Sequence, residues 1–138
     1  MKKTIAAIVA GFVVQVAGLV LIHSVWLKRD YLNTAANWRS QEAMHARLWA
    51  MLLAILIYVV AAVLIYLRGR EAKEWIGQGV RFGVLLAMVA VVYGSLSSWA
   101  ILPVPHMLVV KWIVGESALS VLFGVVVAWI CQPKPTGA

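Results

Sequence analysis

The sequence predicts an all-α integral membrane protein. It forms a single transmembrane domain over residues 1–138, an up-down-up-down four-helix bundle with room for a surface helical extension before the second span. Three observations predict it. Of 138 residues, 64% are apolar and only 12% charged, whereas a soluble domain is about half apolar and about a quarter charged. Four apolar runs, about 4–27, 47–67, 79–101 and 107–130, each reach the roughly 20 residues a helix needs to cross a bilayer core. These runs are continuous, as in Met51–Val60, rather than the ~10-residue alternating segments of a barrel. Spanning helices satisfy their own backbone hydrogen bonds, which lipid cannot do for them. The spans take up about two thirds of the chain, which leaves no room for a separate soluble domain.

The first span follows Met1-Lys2-Lys3, a sequence that could open a secretory signal. The apolar run from Ile5 to Leu27 exceeds the ~7–15 residues of a signal core, and no small-x-small cleavage site follows it, so a retained span is expected. Gly11, Gln15, Gly18 and Ile22 share one helical face. Small residues admit a neighbouring backbone and an amide can hydrogen-bond across it, so this face is expected to point into the bundle. The polar connection from Lys28 to Ala46 follows. Asn33 or Thr34 is expected to cap a helix running on into the second span, with Trp38, Glu42, His45 and Trp49 on one face at the membrane surface.

Arg68 to Trp75 reads as a short charged turn that anchors topology and could attract anionic headgroups. The third span carries a stripe of small residues, Gly79, Gly83, Ala87, Ala90, Gly94 and Ser98, at the three-and-four spacing of a packing face. Leu102-Pro103-Val104-Pro105-His106 turns the chain in a few stiff residues, so spans three and four form a close antiparallel hairpin. The fourth span is the most polar. Trp112, Glu116, Ser120 and Gly124 line one of its faces, and Lys111 and Ser117 lie beside them. Gly11, Gly18, Gly79, Gly83, Gly94 and Gly124 are the expected helix-packing positions.

Glu116 is the most informative residue. It lies ten positions past His106, about 15 Å along the helix, and a carboxylate at that depth is a functional candidate by default. It suits a proton-coupled or cation site with Gln15, Ser120 and Trp112 as neighbours. The plainer alternative is a neutral acid hydrogen-bonded to another helix, for instance to Gln15. Lys111 is five residues away, a poor spacing for pairing on a helix. His23, His45 and His106 fall at one membrane end with Glu42 and Asp30. Such a set could hold zinc, copper, iron or haem. No pair has metal-ligand spacing within one helix, and Glu42-x-x-His45 is half of a di-iron motif whose second half is missing. Boundary histidines without a ligand are the commoner case. Trp26, Trp38, Trp49, Trp99 and Trp112 crowd that same end, against Trp75 and Trp129 at the other. A belt at both interfaces does not explain this asymmetry; a surface helix or a ring-lined pocket does. Cys131 has no partner for an intrachain disulfide. No phosphate loop, nucleophile elbow, His-Glu-x-x-His or cysteine pair is present, so the sequence favours a non-enzyme and specifies no cofactor.

The net charge of +7 needs no nucleic acid. Lys2, Lys3, Arg68, Arg70, Lys73, Arg81 and Lys134 fall on one side, and Lys28, Arg29, Arg39, Arg47 and Lys111 on the other. The bias places both termini in the cytoplasm, yet it is small enough to allow dual insertion as an antiparallel pair.

Gly18, His23-Ser24-Val25-Trp26-Leu27, Tyr31, the glycine-bearing third span, and Trp112 with Glu116 together resemble small four-span bacterial inner-membrane proteins of uncharacterised function. The resemblance covers the whole chain and implies an inner-membrane location but no activity. Small multidrug transporters resemble the chain in size only, since their key glutamate lies in a first span that here has no acid; small fluoride channels likewise share only dimensions. Three functional readings follow, in order. The first is a non-enzymatic protein acting by helix association, as a homo-oligomer or a small subunit of a larger membrane complex. The second is a small proton- or cation-coupled transporter or channel using Glu116. The third is a haem- or metal-binding subunit using His23, His45 or His106.

Overall fold

Four helices long and apolar enough to cross a membrane make up most of the chain: Lys2–Trp26, Leu48–Gly69, Trp75–Ile101 and His106–Cys131. The computed structural model describes residues 1–132, so Lys134 lies outside the described residues. Among these residues every regular element is helical. The first long helix is α1 (Lys2–Leu19), which continues through a π-helical turn, Val20–Trp26. On its expected inward face Gly11 and Gln15 are buried and Gly18 and Ile22 half-buried, and Ala7 is buried beside them.

The connection to the second long helix differs from expectation. It is not one continuous helix but α2 (Lys28–Asn33), a 3₁₀ turn (Ala35–Asn37) and α3 (Gln41–His45). Neither Asn33 nor Thr34 caps the following helix. Thr34 Oγ1 donates to the Asp30 carbonyl (2.9 Å) and accepts from Trp38 Nε1 (2.9 Å), so it closes α2 instead. The cap is Ser40, whose hydroxyl accepts from the Ala43 N–H at 3.2 Å. Trp38 has extended backbone and folds inward, while Glu42, His45 and Trp49 are exposed, so the four do not share a helical face.

The second long helix, α4 (Leu48–Gly69), buries Ile55, Val59, Ala62, Val63 and Tyr66. The turn after it is organised by Gln78. Its Oε1 accepts from the Glu71 N–H (2.7 Å) and its Nε2 donates to the carbonyls of Glu71 (3.0 Å) and Lys73 (2.9 Å). Glu71 pairs with Lys73, which holds the exposed Glu71 carboxyl below the usual range. The third long helix is α5 (Trp75–Leu86), a second π-helical turn (Ala87–Val92) and α6 (Tyr93–Ile101). Past Leu102–Pro105, α7 (His106–Cys131) is the helix around which the others pack.

The tightest packing is α5 against α7, and the small-residue stripe explains it. A Cβ on Gly83 would lie 2.5 Å from the Ser120 carbonyl oxygen and from Val121 Cα, and one on Gly79 would lie 2.8 Å from Val125 Cα. Gly124 faces both glycines, so here backbone meets backbone. Gly11 packs under Phe123 and Val59, and Gly18 under Leu119. Gly94 is different: a Cβ there would meet nothing within 4 Å, because the upper half of the stripe faces a cavity rather than a helix.

The core is not centred. Its larger cluster, including Ala7, Val59, Val63, Phe123 and Val127, fills the half nearer Lys2 and Cys131. There Tyr66 meets Phe82 edge to face, ring centres 5.2 Å apart. Lys3 Nζ donates to the Gln132 carbonyl (2.6 Å) and Arg70 to the Cys131 carbonyl. Both are cations satisfying the free carbonyls at a helix C-terminus. A smaller cluster of Leu27, Val104, Leu108, Val109 and Trp112 closes the opposite end. Asn37 Nδ2 donates to the Pro103 carbonyl there at 2.6 Å.

Candidate functional site

Between the two clusters the long helices separate and leave two adjoining cavities. One, of about 290 Å³, is bounded by His23, Tyr31, Trp38, Trp112, Glu116 and the Ala90–Ser98 stretch of the third long helix. The other, of about 240 Å³, is lined from all four long helices, with Gln15, Tyr58 and Ser120 as its polar residues. Ala90, Val91 and Glu116 line both, so the carboxylate stands where the two cavities meet.

Local sequence puts each group there. Gly115, beside Glu116, has no side chain, and a Cβ on it would lie 2.9 Å from the Trp26 ring and 3.3 Å from Ile22. That vacancy lets the end of the first long helix approach α7 and bring His23 to Glu116. The π-helical turn holding His23 ends with the Leu27 N–H donating to the Ile22 carbonyl, after which the chain bends into α2. The bend returns Tyr31 to the same place. The second π-helical turn, Ala87–Val92, lies along both cavities. Such turns recur at functional sites.

The polar groups form one chain of contacts. Trp112 Nε1 donates to the Tyr31 hydroxyl at 2.7 Å. The Tyr31 hydroxyl lies 2.6 Å from His23 Nδ1. His23 Nε2 lies 3.2 Å from Glu116 Oε1. Indole N–H is a donor only, so the phenol oxygen accepts there, and its own O–H is free to donate to Nδ1. In that arrangement Nε2 carries the proton of a neutral imidazole and donates to the carboxylate. An imidazolium would donate to both neighbours instead. The two states differ by one proton, so the cluster can take one up without moving a heavy atom. Burial pushes the Tyr31 phenol up to about 12, with the Trp112 hydrogen bond opposing and the Glu116 and Asp30 charges adding to it.

Lys111 does not face Glu116. Its Nζ lies between both oxygens of Asp30, at 2.8 and 2.9 Å, which ties α2 to α7. Gln15 shares a cavity with Glu116, but the side chain in contact with the carboxylate is His23. Of the sequence's candidates, Glu116, Trp112 and His23 come together, and Gln15 and Ser120 lie in the adjoining cavity. His45 and His106 are exposed, as is Glu42. Among the described residues no group of three or more His, Cys, Asp or Glu side chains gathers as a metal site. The histidines share an end of the molecule but not a point in it.

Sequence reasoning missed Tyr31, Trp38, Ser95 and Ser98 as site residues. The two serines could have been found, because they fall at the polar end of the small-residue stripe. Tyr31 could not, since only the break after Trp26 brings it back. None of the family models, curated proteins or solved structures compared with the chain matches it. The functional reading therefore rests on this geometry.

Proposed function

We propose that the chain is a small transport protein of the bacterial inner membrane, with Glu116 as the exchangeable carboxylate for a proton or cation. The four long helices cross in up-down-up-down order, both termini are cytoplasmic, and the cavities open toward the outer face. The observation that carries this reading is the position of Glu116. It stands at the junction of two cavities and is held by a histidine that can share a proton with it. On one side lie groups of the His-rich end; on the other lie Gln15, Tyr58 and Ser120, next to the packed half of the bundle. A carboxylate at such a boundary can exchange one partner for another while the tight glycine contacts hold the helices in place. Intramembrane acids serve ion and proton pathways for this reason.

The test is flux in liposomes carrying a pH-sensitive dye, with an imposed proton or potassium gradient. Wild-type protein should dissipate a gradient, and Glu116→Gln should reduce the rate at least ten-fold. Equal rates for the two proteins overturn the reading.

A second reading, association as a homo-oligomer or a subunit of a larger membrane complex, is favoured by Gly94. That glycine continues a packing stripe yet has no neighbour within 4 Å of its Cβ position. Native mass measurement after gentle extraction tests it: a stable lone monomer with no partner counts against association.

A further inference from the structure

The walls of the pocket that Trp38 and Trp112 line select for charge. Indole N–H donors are turned away from a guest: Trp38 Nε1 is used by Thr34 Oγ1 (2.9 Å) and Trp112 Nε1 by the Tyr31 hydroxyl (2.7 Å). The nearest amine, Lys111, is held by both oxygens of Asp30. What faces the space is the Glu116 carboxylate, the Ser95 and Ser98 residues, and aromatic rings. Carboxylate, hydroxyl oxygens and π surfaces attract a cation; His23 is the one lining residue that can carry a positive charge, and it already contacts Glu116.

The rings form a corner. Tyr31 and Trp38 meet at 78° with centres 5.4 Å apart, and Trp38 and Trp112 at 68° with centres 6.1 Å apart. All three rings line the pocket, so a guest there lies beside aromatic surface. An alkylammonium beside such a surface gains both dispersion and cation–π attraction. A volume of about 290 Å³ is at the small end of ligand sites, which suits a guest of about ten heavy atoms or fewer.

We propose that this cavity binds a small monovalent organic ammonium ion, with Glu116 as its counter-ion and the Trp38–Trp112 corner against its alkyl groups. The proposal rests on the reading of the Glu116 cavity as a transport site and adds the class of solute. On entry the ammonium takes the place of the His23 contact at the carboxylate, so that Glu116 keeps a partner throughout.

Saturation-transfer NMR on the purified protein in nanodiscs tests this with choline, tetraethylammonium and 3,3-dimethylbutan-1-ol, the neutral carbon isostere of choline. Both ammonium ions should bind saturably, and the isostere at least ten-fold more weakly. Glu116→Gln should weaken choline at least ten-fold, and Trp38→Leu several-fold with the thermal midpoint retained. The isostere comparison uses unaltered protein, so it does not depend on any variant folding. Equal binding of choline and its isostere overturns the proposal, as does undiminished choline binding by Glu116→Gln. Liposome flux separates the two readings. Glu116-dependent proton flux without ammonium binding overturns the ammonium site and leaves transport standing. Glu116-dependent choline binding without any flux supports the site and removes transport.

Discussion

The Tyr31 phenol oxygen accepts from Trp112 and contacts His23, so one atom links a donor that has no alternative to a base that has two. Tyr31→Phe removes both contacts and leaves the buried Trp112 N–H without its partner. An unmet donor of this kind costs about 1–3 kcal/mol, so the thermal midpoint in detergent should fall while the helical circular dichroism is retained. Its phenol is pushed up from 10.0 to about 12 by burial. The folded protein therefore keeps a proton that the unfolded chain has lost in that window. The associated stability is complete below pH 10 and is lost as pH rises through about 12. The phenolate absorbance of Tyr31, taken as wild type minus Tyr31→Phe, should rise well above the ordinary phenol range. The Lys111–Asp30 pair is about one third exposed on each side, so its coupling should be small. A double-mutant cycle with Lys111→Met and Asp30→Asn should read about 1 kcal/mol or less.

At the scale of an element, glycine has two opposite roles in α5. Gly83 meets the α7 backbone, where neither partner can give way: a methyl group would sit 2.5 Å from Ser120 O and Val121 Cα. Gly83→Ala should destabilise by about 1–3 kcal/mol through overpacking and push α5 off α7. Gly77 is on the same helix, exposed, with nothing within 4 Å of its Cβ position. Gly77→Ala should stabilise by about 0.4–1 kcal/mol, since it mainly restricts the unfolded chain. Thermal melts of the two variants in one detergent check the contrast. The same logic explains why the third long helix changes role along its length. Its stripe packs where it meets Gly124, is still buried at Ala87, and opens from Ala90 onward.

For the whole molecule, a packed half and an open half imply unequal access. Ser98 lines the cavity, whereas Val127 is fully buried in the larger core cluster. With Cys131 replaced by Ala, a cysteine introduced by Ser98→Cys should react with a maleimide added to the detergent-solubilised protein. One introduced by Val127→Cys should not. Equal labelling of the two would contradict the off-centre core.

Much of the architecture was legible because hydropathy and helix period are local properties. The lengths of the four long helices, the inward face of Gly11 and Gln15, and the packing role of Gly79, Gly83 and Gly124 all follow from spacing alone. Glu116 was also legible, because a lone acid in an apolar helix stands out whatever surrounds it. Its partner was not. Gln15 was the partner that depth suggested, and the contact fell instead to His23 because Gly115 admits Trp26 and the first long helix ends in a π-helical turn. Tyr31 and Trp38 joined the site only through a break in the connection that places Thr34 against Asp30 and Trp38. The sequence by itself determined a helical chain suited to a membrane, with one acid deep in a span. Tertiary structure decided which groups that acid touches, since a contact between distant segments depends on bends and close approaches that no periodicity records.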